Sequence, residues 1–136
     1  ILNIIRYINS IRIIMNACQQ KISKSNAVRI IVAQCLVNIF SYYESELIIK
    51  TREILEETMS VLLIDANGEV RATTRKAFII YKSRFNEEAE LIFKDFGRNV
   101  QKQIKEDEKN FRDNFEMQIN KRQDNGFIKS KTKNWN

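Results

Sequence analysis

The sequence predicts an all-α solenoid of stacked, antiparallel helix pairs. Three observations predict it. Two polar loops, Ser25-Asn26-Ala27-Val28-Arg29 and Asn67-Gly68-Glu69-Val70-Arg71, superpose at a constant offset of 42 residues. The same offset relates Ile22 to Ile64, Leu36 to Phe78, Ile39 to Tyr81 and Tyr43 to Phe85. Each loop opens a stretch whose apolar residues recur at i, i+3 and i+4, the spacing of one helix face. The third observation is that the 136 residues include no proline, so no helix carries a proline break.

The elements follow in chain order. A first helix is predicted over residues 1–21, striped by Ile1, Ile4, Ile5, Ile8, Ile11, Met15 and Cys18. A second is predicted over 26–43. It is apolar almost all round, from Val28 through Ile30, Ile31, Val32, Leu36 and Ile39 to Phe40, which predicts burial on several sides. A third covers 45–64 with Leu47, Ile48, Thr51, Ile54, Leu55, Met59 and Leu62 on its stripe. The turn Asp65-Ala66-Asn67-Gly68 leads into a fourth, 68–84, and a fifth runs over 87–96 to a bend at Gly97. A short helix then resumes through Val100 and Ile104. Ser25 and Asn67 are equivalent under the offset, and both residue types cap first-turn amides well. A period of about 40–47 residues made of two helices is the signature of HEAT-like repeats. Such a solenoid presents its intra-repeat loops in a row along one edge. Residues 1–106 are read as the repeats, and 107–136 as a charged helix extension with a basic tail that is disordered when free. The chain opens on Ile-Leu-Asn-Ile-Ile with its helical pattern already running, which reads as a fragment lacking the cover of its first helix.

Composition excludes most chemistry. There is no histidine, so the commonest general base and the commonest metal ligand are missing. No catalytic triad and no glycine-rich phosphate loop can be assembled. Asp65, Asn67 and Glu69 alternate as at the start of a calcium loop, but Gly68 is out of place and Lys76 stands where the closing glutamate belongs. The adjacent pairs Glu56-Glu57 and Glu87-Glu88 read as solvated faces. Cys18 and Cys35 match no metal or redox spacing and read as buried thiols. We therefore expect no enzyme activity, cofactor or metal. No apolar run approaches the ~18 residues of a membrane span. Arg6 and Arg12 interrupt the apolar start, which does not read as a signal peptide.

The net charge of +6 favours acidic partners. Cations gather at the loops: Lys21, Lys24 and Arg29 around the first, Arg71, Arg75 and Lys76 after the second. Lys24 lies between Ser23 and Ser25 with no packing reason to be there, so it reads as a contact residue. Arg29 and Arg71 read as structural, each bonding a neighbouring loop. Phe40, Tyr42, Tyr43, Phe78, Tyr81, Phe85, Phe93 and Phe96 follow helical spacing and read as core, not as base-stacking platforms, and nucleic acid is not expected. In the tail, residues 121–135 hold five basic residues and one acid. Lys129, Lys131, Lys133 and Trp135 are its candidate contacts.

These residues carry a family resemblance. Lys21-Ile22-Ser23-Lys24-Ser25-Asn26-Ala27-Val28-Arg29 resembles the Ser-Lys-Ser…Val-Arg loop of CLASP-family TOG domains. Ile64-Asp65-Ala66-Asn67-Gly68-Glu69-Val70-Arg71, followed by Arg75-Lys76-Ala77-Phe78, is similar to that family's Asp-Ala-Asp…Glu-Val-Arg…Ala-Arg-Lys-Ala-Phe segment. Phe85 to Leu91 and Val100 to Ile104 fall where the family has Phe-Pro…Ala-Glu…Leu and a Gln-Lys…Leu/Ile ending. Asn67 stands in place of an acid and Asn86 in place of the proline. The resemblance spans about residues 10–105 and implies the last two repeats of a six-repeat TOG paddle. It implies tubulin or the microtubule lattice as partner, met through Ser23, Lys24, Ser25 and Asn26 in one loop and Asn67, Gly68 and Glu69 in the other, with Lys76 beyond. It implies a cytoplasmic, cytoskeletal setting, and the family's range extends to the ciliary axoneme and axonemal protein partners. A helical-repeat scaffold for a non-tubulin protein is the alternative reading.

Overall fold

The computed structural model describes residues 24–114 and 117. The expected helix over 1–21, Ser23 and the tail contacts Lys129, Lys131, Lys133 and Trp135 lie outside the described residues. The chain divides into two compact units, 1–102 and 103–136. In the second, residues 103–114 are helical.

The described residues of the first unit are all-α, as expected. Helix α1 spans Asn26–Tyr42, α2 Ser45–Lys50, α3 Arg52–Leu62, α4 Gly68–Arg84 and α5 Asn86–Phe93. Residues 94–97 form the predicted break, and 98–102 are helical again.

The two helices related by the 42-residue offset, α1 and α4, make the most extensive helix contact. They run parallel. At one end Arg29 of α1 pairs with Asp65, just ahead of α4. At the other end the Arg84 Nη1 donates to the carbonyl of Phe40 at 2.9 Å. Helix α3 runs antiparallel to α4, since the Tyr81 hydroxyl near the end of α4 reaches Glu56 in the first half of α3 at 2.6 Å. This is the arrangement of stacked helix pairs, with the loops ahead of α1 and α4 at the same end.

The core lies where these helices meet. Leu36, Ile39 and Phe40 of α1, Leu55, Met59 and Leu62 of α3, and Val70, Ala77, Phe78 and Tyr81 of α4 are all buried. Leu36 and Phe78, and Ile39 and Tyr81, were matched by the offset, and all four are core. The rings of Phe40 and Tyr81 lie 4.7 Å apart across the α1–α4 contact. Phe78 meets Phe93 at 5.9 Å and Phe96 at 5.4 Å, joining α4 to α5 and the turn beyond it. Lys82 adds an ion pair to Glu90 at 3.4 Å.

Five expectations are corrected. The helix expected over 45–64 breaks at Thr51, whose φ of −108° and ψ of 10° leave the helical basin. Thr51 Oγ1 donates back to the Leu47 carbonyl at 2.8 Å, a bond that Thr58 and Thr74 also make within unbroken helices. The helix expected over 87–96 stops at Phe93. Tyr42, expected in the core, is 73% exposed, while its neighbour Tyr43 is buried. Helix α1 is not buried all round, because Val28 is 41% and Ile31 50% exposed. Glu56, expected on a solvated face, is half-buried and accepts a hydrogen bond from the Tyr81 hydroxyl. Burial, and then that carboxylate, push the Tyr81 phenol above its ordinary range, so it remains a donor.

Candidate functional site

The candidate site is the edge formed by the loops ahead of α1 and α4. Asp65 organises it. Its carboxylate accepts from Arg29 Nε at 2.8 Å and Arg29 Nη2 at 3.3 Å, a two-toothed pair across 36 residues. The two side chains are only 11% and 8% exposed. Asp65 Oδ1 also accepts the Asn67 amide at 2.9 Å, a local turn that short polar side chains favour. Charge-assisted, two-point bonds of this kind fix orientation as well as distance. The Arg29–Asp65 pair therefore ties the helix that follows the first loop to the second loop.

The second loop is further clamped from its own helix. Arg71 Nη1 donates to the carbonyls of Asp65 at 2.7 Å and Ala66 at 2.9 Å. Asn67 Oδ1 caps α4 by accepting from the amides of Glu69 at 2.9 Å and Val70 at 3.1 Å. The first loop differs. Ser25 holds the N-cap position and its carbonyl accepts the Arg29 amide at 3.2 Å, but its side chain does not cap α1. Asn26 Oδ1 instead accepts from Arg29 Nη2.

The structure thus divides the candidate residues. Lys24, Ser25, Asn26, Gly68 and Glu69 are exposed at the loops and Asn67 is half-buried there, whereas Lys76 is exposed midway along α4, away from the loop itself. The side chains of Asn26 and Asn67 are engaged within the loops; those of Arg29 and Arg71 hold Asp65 and its carbonyl. In the sequence Asp65 reads only as a turn residue and as the first position of a rejected calcium loop, and its organising role here is not foreseen. The available signal was the arginine reading itself: if Arg29 bonds a neighbouring loop, Asp65 is the acid in that loop.

Among the described residues no cluster of histidine, cysteine or acidic side chains could hold a metal ion. Among them, too, no helix is long and apolar enough to cross a membrane. The edge offers cations, small residues and rigid backbone: the means to recognise a surface.

A search of curated proteins matches none of them. The family described as CLASP N terminal matches residues 2–105, which include every helix from α1 to α5 and both loops. That family is a structural one associated with microtubules and the cytoskeleton, and is not enzymatic. With a match over most of its length and a helical-repeat fold, the chain belongs to the CLASP N-terminal family.

Proposed function

We propose that this chain binds tubulin, and that it does so along the edge formed by its two loops. The observation that carries the reading is the Arg29–Asp65 pair, which holds the helices behind both loops in one register and so preorganises the edge. Membership of a microtubule-associated family supports tubulin as the partner class. In this reading Lys24, Ser25, Gly68, Glu69 and Lys76 meet the partner. Asn26 and Asn67 serve from inside, by keeping their loops in shape, as do Arg29 and Arg71. Ser23 extends the first loop. Tubulin presents an acidic surface, so exposed lysines steer the encounter and help set its orientation. The tail residues Lys129, Lys131, Lys133 and Trp135 form a second, salt-sensitive tether in the same reading. An axonemal setting is one place where such a protein would act.

Lys24→Glu tests the proposal. Lys24 is exposed, so the melting temperature should not move. Affinity for microtubules in a co-pelleting assay should fall roughly threefold to tenfold at low ionic strength, and less at high salt. Unchanged binding at low salt would remove Lys24 from the interface. Failure of the unaltered chain to pellet with microtubules would favour a scaffold for a non-tubulin protein.

A further inference from the structure

Ile64 has no place in the packing. It is 72% exposed, in the turn between α3 and α4. Singly exposed apolar residues are ordinary on protein surfaces. Three features set this one apart.

The first is the rigidity of what carries it. Its own amide donates to the Val61 carbonyl at 3.4 Å, and the Asp65 amide donates to the Leu62 carbonyl at 3.2 Å. Immediately beyond it, the Asp65 carbonyl is held by Arg71 at 2.7 Å. The Asp65 carboxylate is held by Arg29 at 2.8 Å and by the Asn67 amide at 2.9 Å. The second is the side chain itself. A β-branched residue is stiff at χ1 and loses less rotamer entropy on burial than a lysine does. Turns favour Gly, Asn, Asp and Ser, so the local fold does not ask for isoleucine here. The third is the surroundings. Ala66 and Gly68 are small and exposed, which leaves room for a partner to approach. Outside the Arg29–Asp65 pair, residues 24–29 and 64–76 hold four cations (Lys24 and Arg71 at the loops, Arg75 and Lys76 about two turns into α4) and one acid, Glu69. Asp65 is already spent on Arg29.

We infer that Ile64 is an apolar anchor of the loop edge, and that it seats in an apolar depression of an acidic tubulin surface. This rests on the tubulin reading above. A stiff apolar side chain within a mainly cationic edge fits an acidic protein surface with a greasy hollow. It gives the contact a component that salt does not screen, beside lysines whose contribution salt does screen. The anchor sits on the second loop, where the sequence pattern pointed only to polar residues.

The test uses the full chain and microtubules polymerised from purified tubulin. Ile64→Ser should weaken co-pelleting about tenfold at both low and high salt, and Ile64→Val should stay within about twofold of the unaltered chain. Neither should lower the melting temperature, since the side chain packs on little. Ile64→Ser binding within about twofold of the unaltered chain at both salts would overturn the inference while leaving the tubulin reading in place. If the unaltered chain does not bind microtubules, the tubulin reading falls and this inference falls with it.

Discussion

Replacing Asp65 with alanine should destabilise the fold by ~3–5 kcal/mol, the usual cost of stripping one partner from a largely buried ion pair. The Arg29 side chain is only 11% exposed, and its guanidinium would lose its carboxylate contacts without gaining water. The Asn67 amide would lose its acceptor as well, loosening the turn ahead of the α4 cap. Asp65→Asn keeps an oxygen for Asn67 but removes the charge. It should fall between, at about 1.5–3 kcal/mol, the worth of a hydrogen bond to a charged group. Urea unfolding of the full chain measures both. A loss below about 1 kcal/mol for the alanine variant would mean that the pair behaves as a surface ion pair. The two loops would then not depend on it for their register.

Phe78→Ala should cost a similar ~3–5 kcal/mol, by a different route. Phe78 is fully buried and its ring is in contact range of Phe93 and Phe96. Truncation removes the apolar transfer energy and leaves a cavity that helices on both sides cannot close without moving. The damage should centre on the α4–α5 junction, because those two rings are its partners. Hydrogen exchange should show faster opening of α5 than of the Arg29–Asp65 region. Equal loosening throughout would contradict the assignment of Phe78 as the local tie.

The fold was largely legible in the sequence because its main information is periodic. The offset that matched Leu36 to Phe78 and Ile39 to Tyr81 picked out the parallel α1–α4 pair at the centre of the core. Asn67 was legible as a cap, but Ser25, matched to it by the offset, holds the N-cap position without a side-chain cap, so residue type alone did not decide it. The misses have physical causes. Thr51 sits on the apolar stripe, so periodicity runs straight through it and gives no sign of the break. Tyr42 and Tyr43 are adjacent aromatic residues, and side-chain type does not say which one turns inward. Val28 and Val70 are matched by the offset, yet Val28 is 41% exposed and Val70 is buried. The repeat preserves the residue and not its surroundings.

The candidate site was half legible. Exposed Lys24 and Lys76 could be read from their polar setting. The Arg29–Asp65 pair joins residues 36 apart and belongs to the packing of one repeat on the next, which no local window contains. Ile64 could not be read as exposed, because it closes an apolar run, Val61 to Ile64, that looks like ordinary core.

The loop edge is proposed to face tubulin. Zero-length carbodiimide cross-linking of the full chain to tubulin, mapped by mass spectrometry, tests it most directly, since it joins amines only to carboxylates in contact. Lys24, at the first loop, should link to tubulin carboxylates; Lys76, midway along α4, should link only where the contact reaches past the loops, and Lys129, Lys131 and Lys133 report on the tail. Lys50, at the end of α2 and away from the loops, should not link. Links from Lys50 in the absence of links from Lys24 would contradict the account and move the interface to the opposite edge.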